Sequence, residues 1–147
     1  MGRMITNADI TVFNRVLSSD RREVYIPTYI QGVAWYDSHA SSDSGTAKSE
    51  SSDFVVRVPE SATVTGGKTY VPADDYRALS SSEREGHWTI QIATLVAKGT
   101  VVLPEGSTTM DESSIRKSGH EVFSVSTYAD NTVRGTAAVR HWRMGGA

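Results

Sequence analysis

The fold is narrowed first by runs of β-branched and aromatic residues, each soon cut by proline, glycine, serine or aspartate. Ile10-Thr11-Val12-Phe13, Val24-Tyr25-Ile26-Pro27-Thr28-Tyr29-Ile30, Phe54-Val55-Val56-Arg57-Val58-Pro59 and Val122-Phe123-Ser124-Val125-Ser126-Thr127-Tyr128 are such runs. Side chains of this kind suit a pleated surface, and turn residues between the runs stop each strand early. No βαβ rhythm and no internal repeat breaks the pattern. The expectation is a mainly β fold of about seven or eight strands, a small antiparallel β-barrel or sandwich with one or two short helices and long polar loops.

At 147 residues, against roughly 100–200 per domain, the chain reads as a single β-rich domain over 1–147, with 1–8 as a flexible N-terminal arm. Apolar residues make 38% and the 12 glycines add to them, which is the range of a packed globular chain rather than a disordered one. Seventeen acidic against fifteen basic residues leave a formal charge of −2. The molecule as a whole therefore exerts no pull on nucleic acid, and any contact with DNA has to be local. Without cysteine, disulfides, thiolate zinc sites, iron–sulfur clusters and cysteine nucleophiles are excluded together. The stretch from Met1 to Asp9 lacks the apolar core of a signal peptide, and no run approaches the ~18 apolar residues of a membrane span. Synthesis and assembly in the cytoplasm, away from membranes, are expected. Gly2 and Thr6 fit the N-myristoylation pattern, which is short and read by eukaryotic machinery alone.

Between the first two runs, Ser18-Ser19-Asp20-Arg21-Arg22 reads as a polar turn, so Asp9 to Tyr36 is two strands. Alternation puts Val24, Ile26, Thr28 and Ile30 on one face and Tyr25 and Tyr29 on the other. Pro27 has no N–H to give a ladder, which places it at an edge or a bulge. Residues 38–53 hold no large apolar side chain and cannot offset the entropy of ordering by burial, so a long mobile loop is expected there. Gly66-Gly67, between Ala62-Thr63-Val64 and Thr69-Tyr70-Val71, implies a short hairpin. Pro72 to Leu79, with Asp74 and Asp75 in its first turn, reads as a short helix, and residues 80–86 as linker. Trp88 to Leu103 reads as one long or bulged strand, or a hairpin bent near Lys98-Gly99. Met110 to Ser118 reads as a second helix stopped by Gly119, and Val133 to Trp142 as the strand returning from a turn at Asp130-Asn131.

Candidate chemistry is sparse. Gly67-Lys68-Thr69 imitates the end of a phosphate-binding loop, but Ala62 stands where the motif needs its first glycine, and Pro72 blocks the helix that would receive the phosphates. A hairpin turn explains it. His39, His87, His120 and His141 are scattered, with no pair three or four apart beside a carboxylate, so no metal and no cofactor are expected. No Gly-x-Ser-x-Gly elbow occurs. Asp74-Asp75 and Asp111-Glu112 sit at expected helix starts, where the helix dipole accounts for them. No catalytic residue emerges, and the chain reads as non-enzymatic. Two basic clusters remain, Arg21-Arg22 in a turn and Arg140-His141-Trp142-Arg143 near the C-terminus. Arginine beside tryptophan is frequent at protein and nucleic-acid surfaces. Arg21, Arg22, Arg140, Trp142 and Arg143 are therefore candidate protein-interface residues, the alternative being a terminal strand with Trp142 in the core.

Taken in order, Ile10-Thr11-Val12-Phe13-Asn14, Gly32-Val33-Ala34-Trp35-Tyr36, Val56-Arg57-Val58-Pro59, Gly66-Gly67-Lys68-Thr69-Tyr70-Val71-Pro72, Trp88-Thr89-Ile90, Lys98-Gly99 and His141-Trp142-Arg143-Met144-Gly145-Gly146 form a series. Over nearly the whole chain this series resembles a family of small minor structural proteins of tailed bacteriophages, of the head–tail connector or head-completion stopper type. The resemblance implies a non-enzymatic virion protein of the neck, a stopper-type ring that joins head to tail below the portal and is assembled in the host bacterial cytoplasm. It implies a homo-oligomer, a hexamer by likeness to stopper proteins, with a portal or adaptor protein above and a tail terminator or tail tube below. Non-specific contact with packaged DNA follows from the same position. A tail terminator or minor capsid protein of the same virion is the nearer alternative; a small hydrolase or sugar-binding β module is the alternative from another class.

Where that family commonly shows a Gly-Asp turn after its Trp-Thr strand, Gln91-Ile92-Ala93-Thr94 reads here as continuing β sequence. On this reading the arm that projects to the ring axis is the segment from Ser38 to Asp53, or that from Glu105 to Ser118. Ser38, Asp43, Lys48, Glu50 and Asp53 are the candidate DNA-channel residues. Three carboxylates against one lysine repel phosphate, which suits a low-friction gate better than a clamp.

Overall fold

The computed structural model describes residues 6–18, 20–43, 48–132 and 140–147, with the backbone alone for 37–53. Strands β1 (Ala8–Leu17) and β2 (Glu23–Asp43) make an antiparallel hairpin across the polar turn, paired from Leu17↔Glu23 to Ala8↔Val33. Strand β3 (Lys48–Pro59) returns along β2 from Asp43↔Lys48 to Ala34↔Arg57. Next come the short strands β4 (Thr63–Val64) and β5 (Thr69–Tyr70), helices α1 (Ala73–Ala78) and α2 (Ser81–Arg84), and strands β6 (His87–Trp88) and β7 (Leu95–Lys98). Helix α3 (Glu112–Arg116) and strands β8 (Val122–Asp130) and β9 (His141–Gly146) complete the order. Pairing runs β1–β7–β8–β9–β3–β2 and closes from β2 back onto β1, antiparallel throughout. The mainly β, antiparallel architecture expected from the sequence is the one observed, and the closure hides strand edges that would otherwise be open.

The interior of this ring of strands holds Ile10, Val12, Ile30, Trp35, Val56, Val58, Phe123 and Met144, with Trp88 and Ile90 packed among them. Phe54, Trp35 and Phe123 bring their rings within 5.4–5.5 Å of one another. A second cluster lies outside β1, where Phe13, Tyr25, Leu95 and Val101 meet Met110 and the Ile115 of α3. Strand β1 is thus covered on both faces, and five successive residues from Ile10 to Asn14 are buried. Burial of each large side chain contributes about 1.5–3 kcal/mol. The expected alternation in β2 holds: Tyr25 joins the second cluster, and the Tyr29 hydroxyl donates to the Val101 carbonyl at 2.8 Å. Tyr25 turns its backbone N–H and carbonyl away from β1 to bond Met110. Pro27 shares that parity, so the N–H it lacks belongs to the outer edge of β2, and its carbonyl there accepts from Lys68 Nζ at 2.9 Å.

Several local expectations give way. Residues 38–53, expected as a loop, are strand from 38 to 43 and from 48 to 53, paired in register. The ladder is extended from an anchored base, so each further pair adds backbone hydrogen bonds without a new nucleus or an apolar face. Gly66 and Gly67 do take positive φ, but β4 pairs with β2 and β5 pairs with β6 in parallel, so the expected hairpin is a turn between two unrelated pairings. The expected linker 80–86 contains α2, started by a capping box in which Ser80 and Glu83 bond each other's backbone N–H. With α3 that makes three short α-helices among the described residues rather than one or two. The long strand expected from Trp88 to Leu103 is broken at Gln91–Thr94, where Ala93 has φ 73 and Thr94 N–H bonds the Gln91 carbonyl at 3.1 Å. Of the expected return strand, 133–139 lies outside the described residues, and β9 runs on to Gly146. Of the expected arm 1–8, residues 1–5 lie outside the described residues, while Asn7 is tied to Trp35 by its Nδ2 to the carbonyl (3.0 Å) and its Oδ1 from the N–H (2.8 Å).

Candidate functional site

The most distinctive surface is the continuation of β2 and β3 beyond the ring of strands. β1 leaves β2 at Val33, and β9 reaches no further along β3 than Phe54, opposite Gly146. Beyond the Asp37↔Phe54 pair, six more pairs run from Ser38↔Asp53 to Asp43↔Lys48 with no third strand beside them among the described residues. At about 3.4 Å per residue this ribbon reaches on the order of 20 Å. A two-stranded ribbon alone is marginally stable in water, and both its outer edges carry backbone donors and acceptors that a partner can use. All five candidate channel residues belong to it. Ser38 faces Asp53 at the base, Asp43 faces Lys48 at the far end, and Glu50 faces Ser41 between them.

The opposite end of the ring, where β1 ends, β2 begins and β9 begins, carries the side chains that collect in two clefts. The first is a cleft of about 400 Å³ lined by Arg15, Leu17, Glu23, Tyr76, Arg77, Arg84 and Gln91. Arg84 sits there because α2 starts at the Ser80 cap and delivers it over the Tyr76 ring, 5.5 Å from the centroid. Its Nε donates to the Tyr76 carbonyl at 3.3 Å and its Nη2 to the Arg77 carbonyl at 3.0 Å. Arg15 meets Glu23 at 3.4 Å, and Arg77 pairs with Asp74 one turn away. Tyr76 is 1% exposed and its hydroxyl has no hydrogen-bond partner among the described residues; burial pushes that phenol up from its ordinary pKa. Leu17 stands at the rim, 67% exposed.

The second cleft, about 350 Å³, is walled by Tyr70, Trp88 and Trp142, with Glu60 and Lys68 at its margin. Trp142 packs 4.9 Å from the Tyr70 ring and 5.3 Å from Trp88. Its indole N–H is buried without a partner among the described residues, as is Arg140 Nε; another Arg140 nitrogen lies 3.9 Å from Glu60. Burial, with Asp130 and Tyr128 adding to it, pushes the Tyr70 phenol up to about 12. Burial also lowers the Lys68 ammonium, which is held by the Pro27 carbonyl and by Thr28 Oγ1 at 3.2 Å. Lys68 is thereby committed to the fold, in keeping with rejection of a phosphate loop.

Of the expected interface residues, Trp142 walls this second cleft, and Arg140 pairs with Glu60 at its margin. Arg143 departs to the other face of β9, where it stands opposite Arg57, whose guanidinium lies 5.8 Å above the Tyr36 ring. Arg21 and Arg22 occupy the β1–β2 turn, Arg21 with φ 64 and Arg22 paired with Asp20 at 3.1 Å. The sequence reading missed Arg15, Arg77, Arg84 and Tyr70. The Ser80-x-x-Glu83 capping signature was the local signal that would have placed Arg84 on a helix. Among the described residues no three histidine, aspartate or glutamate side chains gather to hold a metal ion, and no helix is long and apolar enough to cross a membrane.

Ring of strands, projecting ribbon and paired clefts define a small, mainly antiparallel β protein. The chain belongs to DUF6751, a family of unknown function, which matches residues 5–147. No curated protein and no solved structure matches it.

Proposed function

We propose that this protein is a structural component of the tailed-phage neck, a head-completion protein of the stopper type that works as a homo-oligomeric ring in the virion. The β2–β3 ribbon carries the proposal. It extends beyond the folded body on six strand pairs, contains no apolar residue larger than alanine from Ser38 to Asp53, and among the described residues leaves two strand edges open. A ring subunit needs a rigid body and an element that neighbours complete, and a polar ribbon with open edges is such an element. The motif series that resembles phage neck proteins supports the same reading. A portal or adaptor protein on one side, a tail terminator or tail tube on the other, and packaged DNA in the lumen are the partners it entails.

The test shortens the ribbon without disturbing the body. Ala40 and Ser51 are directly paired, so replacing 41–50 by Asn-Gly closes a two-residue turn on them. The shortened chain is expected to melt as the parent does, to form no ring on the portal assembly of the same phage, and to yield particles that lose their genome. Particles that retain DNA as the parent does would overturn the proposal. The sugar-binding alternative has one specific support, the Tyr70–Trp142 cleft. Tryptophan fluorescence that does not move on titration with mono- and oligosaccharides removes it.

A further inference from the structure

We infer that the Arg15–Arg77–Arg84 cleft is the socket for the acidic β2–β3 ribbon of a second copy, which makes the contact between copies head-to-tail. The inference rests on the ring reading and names the partner surface within it.

The charges complement each other. Residues 38–53 carry Asp43, Glu50 and Asp53 against Lys48 alone. The cleft presents three guanidinium groups to one lining carboxylate, Glu23. Glu23 is engaged with Arg15, and Asp74, outside the lining, with Arg77. Among the described residues Arg84 has no carboxylate, being held by two carbonyls and a ring face. Glu83, its neighbour, is turned to the Ser80 N–H. The two existing ion pairs are solvent-exposed, and such pairs contribute little, so Arg15 and Arg77 can turn to an arriving carboxylate at small cost. Exposed Leu17 beside the arginines gives the socket the mixed apolar and cationic character of protein contacts.

The topology keeps each ribbon from its own socket. Arg15, Leu17 and Glu23 flank the closed end of the β1–β2 hairpin, while the ribbon begins past its open end, beyond Val33. Two complementary patches at opposite ends of one body can be met reciprocally by two copies lying antiparallel, a closed pair in which the double-cysteine ladder stops at dimer, or engaged in series by successive copies, the arrangement that a ring requires. Engaged in series, the patches link copies head-to-tail, and the series closes into a ring when the rotation between copies permits.

The absence of cysteine makes a clean test. Full-length chain carrying Arg77→Cys and Glu50→Cys, bound to the portal assembly and oxidised, is expected to give a reducible ladder of covalent multimers up to the ring size, with each single variant stopping at dimer. In parallel, Arg15→Glu with Arg77→Glu, or Asp43→Lys with Glu50→Lys and Asp53→Lys, is expected to weaken association about tenfold or more, and the two sets combined to restore most of it. Both sets lie on exposed or ribbon positions, and an unchanged melting temperature confirms folding. A ring that assembles with no ladder and no charge-swap rescue overturns the socket and leaves the ring reading standing. A ladder whose products are open chains overturns the ring reading and leaves the socket. Neither ladder nor ring overturns both.

Discussion

The carboxamide of Asn14 grips the backbone of Thr89 from both sides. Its Nδ2 donates to the Thr89 carbonyl at 2.6 Å and its Oδ1 accepts from the Thr89 N–H at 3.2 Å, with both residues buried. A side chain of β1 thereby does what a neighbouring strand would do for the segment that crosses the end of the ring. Asn14→Leu, close in size, leaves a donor and an acceptor buried and unpaired, each costing about 1–3 kcal/mol. The expected loss is about 2–4 kcal/mol, read as a lower urea midpoint at unchanged slope. Asn7→Leu, which removes the equivalent grip on Trp35 in a less buried place, is expected to cost about 1 kcal/mol.

Ala93 holds φ 73 because its N–H bonds the Val125 carbonyl at 2.9 Å and the next carbonyl, of Thr94, accepts from the Val125 N–H at 2.8 Å. The left-handed conformation costs an alanine about 1–2 kcal/mol. Ala93→Gly removes that cost and adds back part of it through the freer unfolded chain. The expected result is a melting temperature about 1–2 °C higher, whereas Ala97→Gly in the buried part of β7 lowers it. A fall at both positions would refute the strain at Ala93.

The strands that line the core were legible because their neighbours alternate, as Tyr25 and Tyr29 do against Thr28 and Ile30. What the sequence hid is long-range. Thr11 and Asn14 look like surface positions of a strand, yet Thr11 Oγ1 bonds the Gly99 carbonyl and the Val101 N–H, partners nearly ninety residues away. The turn at Gln91–Thr94 was invisible for the same reason: Ile92-Ala93 favours extension, and β8 imposes the bend. Serine-rich 38–53 lacks any apolar signal, and its order comes from the anchored base of β2 and β3. The arginine–tryptophan cluster near the C-terminus stood out in one dimension, but the first cleft draws Arg15, Arg77 and Arg84 from three separate elements, and only the topology joins them.

Two partly buried ionisable groups beside the aromatic cleft set opposite slopes in alkaline solution. Lys68 has its pKa lowered by burial. Below 10.5 the unfolded chain therefore binds the proton more readily, and stability rises as the pH climbs toward that value. Tyr70 is raised from 10.0 to about 12. Its contribution is whole below pH 10 and is lost as the pH rises toward 12. Tyr25, Tyr29 and Tyr76 are raised as well and act in the same sense. The urea midpoint is expected to peak near pH 10 and fall steeply above it. Tyr70→Phe should flatten the falling limb and Lys68→Met the rising one, while a limb that keeps its slope in its own variant would refute that assignment.

Gly146 occupies the junction of body and ribbon, paired with Phe54 on one side and Val125 on the other. A Cβ there would fall inside the Ser124 carbonyl and against the Phe123 ring, and backbone on that side belongs to β8 and cannot yield as a flexible side chain would. Gly145 is less confined, because a Cβ there first meets the Thr127 hydroxyl at 3.0 Å, which can rotate. Gly146→Ala is therefore expected to detach the end of β9, expose the Ser124 N–H that now bonds the Ala147 carbonyl at 3.2 Å, and leave the ribbon to start one pair earlier without support. Amide exchange is the measure. Loss of protection at Ser124, with the β1–β2 amides unchanged, is expected for Gly146→Ala and much less for Gly145→Ala; equal protection in both variants and the parent would mean that the junction does not depend on this contact.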